Sequence, residues 1–226
     1  MIEFLDAIDK ELLLYLNGLH CTYLDTFMWY VSKTATWSLM GLVLLYIMFK
    51  NNWRQGILVV IGIALTITMA DQISSGVIKG AVERFRPTHC PEIENLVHIV
   101  NGYRGGRFGF VSSHAANTMG VALFISLLFK RNYITYTIFA WSILVSYSRI
   151  YLGVHYPGDI IGGTCVGLAS AAVVFYLYKY ALKQWKNTEK KAFVQDSEKN
   201  AKIMTCGILS NLLITVGVSA ILCYVA

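Results

Sequence analysis

The chain has 226 residues, 56% of them hydrophobic and 14% charged, and a formal net charge of +6. Soluble domains are typically about 25% charged, so this composition excludes a disordered chain or a nucleic-acid-binding tail and argues against a soluble single-core enzyme. Six uncharged stretches, at 34–49, 55–70, 115–129, 132–148, 160–178 and 203–226, approach the ~20 apolar residues of a bilayer-spanning helix. The expected fold is an all-α polytopic membrane bundle of about six transmembrane helices, forming a single domain over 1–226.

In chain order, residues 1–22 come first. Phe4, Leu5, Ile8, Leu12, Tyr15 and Leu16 recur at helical spacing beside Glu3, Asp6, Asp9, Lys10 and Glu11. Lacking a basic n-region, the stretch does not read as a cleavable signal peptide; it predicts an amphipathic helix lying in the membrane interface. The alternative is an unstructured terminus.

Residues 34–182 form the expected catalytic core. Its second span can continue past its apolar run through Asp71, Gln72 and Ser75 to Lys79. About thirty residues then precede the third span, too many for a routine connection. They include Arg84, Arg86, Pro87, His89, His98, Arg104, Arg107 and a glycine-rich run at 102–109. That run can cradle an anion with backbone N–H groups or serve as a flexible loop; it lacks the GxxxxGK phosphate-loop pattern. The polar stretch 183–202 predicts a cytoplasmic linker, and 203–226 an additional C-terminal span with Gly207 and Gly217 for packing.

If all six stretches span, the loops at 50–54, 130–131 and 179–202 share one face and hold 11 of the 19 basic residues. Of the eight on the other face, six (Lys79, Arg84, Arg86, Arg104, Arg107 and Arg149) cluster where chemistry can demand them, leaving Lys10 and Lys33. The basic bias predicts that the 11-residue face is cytoplasmic and the cluster faces outward. The five cysteines show no metal-ligand spacing. Cys165, Cys206 and Cys223 lie in spans, and no pairing of Cys21 with Cys90 is expected.

Three short elements fall on the outward face. Lys79 is followed after six residues by Arg86-Pro87. Ser112-Ser113-His114 opens the third span. Ser148-Arg149 is followed after five residues by His155 and after three more by Asp159. Lone histidines in spans usually pack, and boundary Lys and Arg residues usually snorkel to headgroups, so each element alone is weak. Together they describe a site for a highly charged anion. Arg86 and Arg149 offer planar forks, Lys79 a point charge, and Ser112 and Ser113 a helix N-terminus. Asp159, placed behind Pro157 in a first helical turn, can orient His155 as a nucleophile, and His114 is available as general acid and base. Asp71 reads either as a helix–helix hydrogen-bond partner or as a group supporting the site from behind. His89 and His98 read as loop residues near the site, and His20 carries no signal.

The set Lys79-x6-Arg86-Pro87, Ser112-Ser113-His114 and Ser148-Arg149-x5-His155-x3-Asp159 resembles the three signature motifs of the type-2 phosphatidic acid phosphatases, the lipid phosphate phosphatase family. The resemblance implies a membrane phosphatase that needs no metal or cofactor and forms a phosphohistidine on His155, assisted by Asp159 and His114; the small size and economical loops point to a bacterial setting. It also implies phosphate binding by Lys79, Arg86, Ser112, Ser113 and Arg149. The implied substrates are lipid phosphates such as undecaprenyl diphosphate, phosphatidate, phosphatidylglycerophosphate or lipid A, at the outer face of the inner membrane. An alternative is a phosphotransferase passing the group to a lipid or sugar hydroxyl. The family's second motif usually has glycine where this chain has Ser113, so the backbone there must tolerate a side chain.

Overall fold

The computed structural model describes residues 2–51, 53–184 and 197–225, and among these helices account for all regular structure apart from one isolated bridge between Phe85 and Phe108. Helix α1 (Ile2–Gly18) is amphipathic in an unusual sense. Phe4, Leu5, Ile8, Leu12 and Tyr15 are exposed, whereas Asp6, Asp9, Lys10, Leu13 and Asn17 turn toward the protein. Apolar residues facing outward suit a helix lying on lipid. Leu16, expected on that apolar face, instead packs inward with Leu13, Cys90 and Ile150. Asn17 fixes the end of α1: its Nδ2 donates to Tyr151 O (2.7 Å) and its Oδ1 accepts from His98 N (2.7 Å).

The stretch expected as the first span, 34–49, is helical, but a second helix precedes it at an angle. Helix α2 (Thr22–Ser32) and the segment Thr34–Lys50, which includes helix α3 (Ser38–Asn51), meet at a 72° bend. A bend frees backbone carbonyls that need new donors. Thr36 Oγ1 donates to Tyr30 O (2.6 Å) and Trp37 Nε1 to Val31 O (2.9 Å). From the C-terminal helix, Asn211 Nδ2 donates to Thr36 O (2.8 Å) and Asn211 Oδ1 accepts from Met40 N (3.2 Å).

Helix α4 (Trp53–Asp71) passes through a π-helical segment (Gln72–Ile78) into α5 (Lys79–Val82), making one long rod Trp53–Val82. The loop that follows ends at α6 (Ser113–Phe129), succeeded by α7 (Asn132–Tyr151), α8 (Pro157–Gln184) and α9 (Ser197–Val225). Pro157 opens α8, where its missing N–H is harmless. Of the linker expected at 183–202, residues 185–196, including Lys186, Lys190 and Lys191, lie outside the described residues. Both its ends are helical, the second supported by a Glu198–Lys202 pair one turn apart (3.0 Å).

Among the described residues three helices, Trp53–Val82, Pro157–Gln184 and Glu198–Val225, are long and apolar enough to cross a membrane; the bent pair adds a fourth. Helix α6 is shorter and central, packed on α4, α7 and α8. Gly167 lets α8 approach it: a Cβ there would lie 2.1 Å from Ala116 O. The chain is an all-helical membrane bundle. Helix α9 packs on α2, α3 and α7, with Gly207 close against Val43, while a Cβ at Gly217 would meet nothing. Cys21 and Cys90 are both free, the second packed beneath α1.

Candidate active site

The three sequence elements converge at one end of the bundle. The π-helical segment before Lys79 inserts an extra residue per turn, a feature frequent at functional sites. Lys79 Nζ donates to Ser113 Oγ (2.7 Å) and to Ser75 Oγ (3.3 Å), and the two serine oxygens lie 2.7 Å apart. Ser113 is therefore more than tolerated where glycine is usual; its hydroxyl holds the lysine. Asp71 lies behind this group, its Oδ1 3.4 Å from Ser75 Oγ.

Ser112 caps α6, its hydroxyl accepting from Ala115 N (3.5 Å), and its own N–H donates to Asp159 O (3.0 Å). That bond ties the start of α6 to the start of α8. At the start of α8, Asp159 is fully buried. Its Oδ2 lies 3.0 Å from His155 Nδ1 and accepts from Tyr156 N (3.1 Å). The other imidazole nitrogen, Nε2, lies 3.1 Å from Arg86 Nη1. Arg86 also donates to Phe108 O and Val154 O (3.1 Å each).

Arg149 closes α7 at 3% exposure. It donates through Nη1 to Ser32 Oγ and through Nη2 to Tyr103 OH (3.2 Å), while its Nε is buried without a hydrogen-bond partner. Burial, and then the Arg149 guanidinium, push Arg86 below the ordinary arginine value. Burial, followed by the charges of Arg86 and Arg149, holds the His155 imidazole well below its usual range, so it is neutral. Crowded cations with a neutral imidazole among them make a receptor for a multiply charged anion. Among the described residues no group of three or more His, Cys, Asp or Glu side chains is arranged to hold a metal.

His114 lies on the first turn of α6, within Coulombic range of His155, Arg149, Arg86 and Lys79. It also borders a cavity of about 550 Å³ between the α2–α3 bend and helices α4, α6 and α7. Trp37, Met40, Leu44, Ile63, Ile67, Val121 and Val145 give apolar walls, and Ser32, Thr34, Ser38, Asn117 and Thr118 give polar points.

Sequence reasoning missed Ser32 and Tyr103, and gave no individual role to Ser75 or Arg84, though all four hold the site together. Tyr103 belongs to the glycine-rich run, which is not a loose loop. It is strapped to residues 84–86 by Arg86 N donating to Arg107 O (3.0 Å) and Gly109 N to Arg84 O (2.8 Å). His98 turns away: Nε2 lies 2.9 Å from Asp25 Oδ1, and its ring stacks on His20 at 3.7 Å. His89 contacts Gly105 O at 3.4 Å.

Fold and site together describe a membrane-embedded enzyme centre built for a phosphoryl group. The PAP2 superfamily profile matches residues 57–183. A lipid A 4'-phosphatase of Bacteroides thetaiotaomicron is 46% identical over 170 residues, covering 74% of this chain and 75% of that protein. One of Porphyromonas gingivalis is 38% identical over 185 residues, covering 81% and 78%. The crystal structure of a transmembrane PAP2-type phosphatidylglycerolphosphate phosphatase from Bacillus subtilis superimposes with a TM-score of 0.59 at 23% identity, over 82% of this chain and 89% of that one. The chain belongs to the PAP2 superfamily. It is a membrane lipid phosphatase of that type.

Proposed function

We propose that the chain removes a phosphate ester from a lipid A-type glycolipid at the outer face of a bacterial inner membrane, without a metal or cofactor. In this reading the phosphate sits among Lys79, Arg86, Ser112, Ser113 and Arg149, which neutralise its oxygens as the transition state forms. His155 Nε2 attacks phosphorus and the bond to the lipid oxygen breaks. His114 gives that oxygen a proton, then takes one from water, which attacks the phosphohistidine. Inorganic phosphate leaves and the imidazole lone pair is restored. Asp159 holds the Nδ1 proton throughout.

The observation that carries the lipid part of the reading is the cavity beside His114. In-line displacement puts the leaving oxygen opposite His155, on the side of the general acid. An apolar cavity there suits a leaving group that carries a hydrocarbon chain. The choice of lipid A rests on two relatives bearing that name over about three-quarters of the chain. The basic bias of the remaining loops supports the outward orientation, and the same reading takes α6 and α7 as spans, giving six. The chain forms one domain, with 203–226 as an added span.

Purified protein in detergent, offered lipid A bisphosphate, phosphatidate, phosphatidylglycerophosphate and undecaprenyl diphosphate in turn, tests the proposal. The expected result is fastest phosphate release from lipid A, with loss of the 4'-phosphate by mass spectrometry. Release should survive chelator and be inhibited by orthovanadate. Activity lost in chelator and restored by magnesium would overturn the metal-free mechanism. Transfer to an added hydroxyl in preference to water would replace hydrolase by phosphotransferase.

A further inference from the structure

Arg84 stands two residues before Arg86, but its side chain has a different set of partners. Its Nη2 lies 2.7 Å from Asp6 Oδ1, and its Nη1 lies 2.8 Å from Asp9 Oδ2 and 3.2 Å from Asp159 Oδ1. The guanidinium also lies over the Tyr156 ring, 4.0 Å from its centre. Asp9 makes a second contact that bears on the same place: its Oδ1 accepts from Gly158 N at 2.7 Å. A Cβ at Gly158 would lie 2.7 Å from Asp9 Oδ2, so the absent side chain is what lets α1 close on the first turn of α8.

The two oxygens of Asp159 are divided. Oδ2 faces His155 Nδ1 and Tyr156 N; Oδ1 faces Arg84. A carboxylate rotates about its Cβ–Cγ bond unless both oxygens are held. A carboxylate with no exposure also needs a counter-charge, and a neutral His155 does not supply one. Arg84 supplies both. Arg86 meets the far nitrogen of His155, whereas Asp6 and Asp9 hold Arg84 at the Asp159 oxygen that His155 does not use.

We propose that Arg84, gripped by Asp6 and Asp9 of the interfacial helix α1, is a positioning residue that orients Asp159 toward His155. The proposal rests on the roles given above to those two residues. The helix that lies on the membrane surface is thereby a working part of the centre: phosphoenzyme formation needs α1 docked. Arg84 itself touches neither phosphate nor lipid.

The test uses the full-length protein in detergent, with Arg84→Ala, Arg84→Lys, the pair Asp6→Asn/Asp9→Asn, Asp159→Asn, and Arg84→Ala combined with Asp159→Asn. Phosphoenzyme formation is followed by rapid quench and steady-state kinetics are recorded alongside. Misplacing a reacting group by about 1 Å can cost about 10²-fold, so Arg84→Ala should lower kcat by that order with KM unchanged. Arg84→Lys should recover part of the rate. The Asp6/Asp9 pair should slow phosphoenzyme formation although Arg84 is intact, which keeps the test open if Arg84→Ala fails to fold. Because Arg84 acts through Asp159, its loss should add nothing once Asp159 is Asn. Multiplying effects, a raised KM with kcat preserved, or full activity of Arg84→Ala would each overturn the proposal. A phosphoenzyme forming at the wild-type rate in Asp159→Asn would instead overturn the role of Asp159 beneath it.

Discussion

His155 Nε2 lies 3.1 Å from Arg86 Nη1, and this contact assigns the imidazole's tautomer. A guanidinium can only donate, so Nε2 must present a lone pair, and the proton sits on Nδ1, facing Asp159 at 3.0 Å. The lone pair points at a residue of the anion site. In the proposed mechanism an arriving phosphate competes for the guanidinium and leaves Nε2 free to attack.

The two histidines should therefore fail differently. His155→Ala leaves no atom to carry phosphate, so turnover and covalent label both vanish. His114→Ala should lose about 10²–10⁴-fold with an alkyl leaving group. With an aryl phosphate, whose leaving oxygen needs little protonation, it should still label and then hydrolyse slowly. Quenching at alkaline pH followed by peptide mass spectrometry locates the label. A label on His114 or Ser112 would reverse the roles.

Arg149 is held as a fork, with one nitrogen on Ser32 and the other on Tyr103. Lysine carries the charge but not the fork. Arg149→Lys should lose about 10²–10³-fold in kcat/KM, as for removal of one donor to a developing oxyanion. Tyr103→Phe removes a contact to the arginine rather than to the anion and should cost much less. Equal losses would mean Tyr103 contacts substrate.

The members of the candidate site were legible from side chains alone because Lys79, Arg86, His114, Arg149, His155 and Asp159 are each conspicuous in an apolar chain. What holds them was not. Ser32 and Tyr103 meet Arg149 from distant loops and ends, and no local spacing announces a contact made only by tertiary folding. Ser113 reads as a deviation until Lys79 is found on its hydroxyl. The apolar runs located the long helices, but the 72° bend at Lys33 depends on Asn211, more than 170 positions away, donating to Thr36 O. Helix α1 read correctly as amphipathic, yet the inward turn of Asp6 and Asp9 follows from Arg84, which no periodicity includes.

The depressed His155 value makes a prediction about stability. An unfolded histidine titrates near ~6.5. Below that pH the unfolded chain takes up a proton that the folded site refuses, so stability is present above ~6.5 and is lost as the pH falls toward the folded-state value. The slope from this one group is about 1.4 kcal/mol per pH unit in that window. Between pH 7.5 and 5 the thermal midpoint of the wild-type protein should drop further than that of His155→Gln. Parallel curves would mean that His155 is charged in the folded protein.

Orientation can be read with an impermeant thiol reagent on spheroplasts, in a background lacking the native cysteines. Leu96, 68% exposed in the loop beside the site, and Lys130, exposed at the end of α6, supply the two positions. Leu96→Cys should react directly, and Lys130→Cys only after lysis. The opposite pattern would turn the active site to the cytoplasm without changing its chemistry.

The cavity beside His114 can be filled without disturbing the anion site. Gly41 lines it from α3, and a Cβ added there meets no heavy atom within 4 Å. Gly41→Leu should therefore fold, and its side chain should occupy space assigned to the lipid part of the leaving group. A glycine-to-alanine change in a helix is intrinsically favourable by about 1 kcal/mol, so Gly41→Ala serves as the control with little filling. If the cavity holds the leaving group, Gly41→Leu should raise KM for lipid substrates while a small aryl phosphate, too short to reach it, is turned over as before. The phosphohistidine should still form on that small substrate. Equal loss on both substrates would mean the added side chain has disturbed His114 itself. No loss on either would place the lipid elsewhere, and the cavity would then be no part of the substrate path.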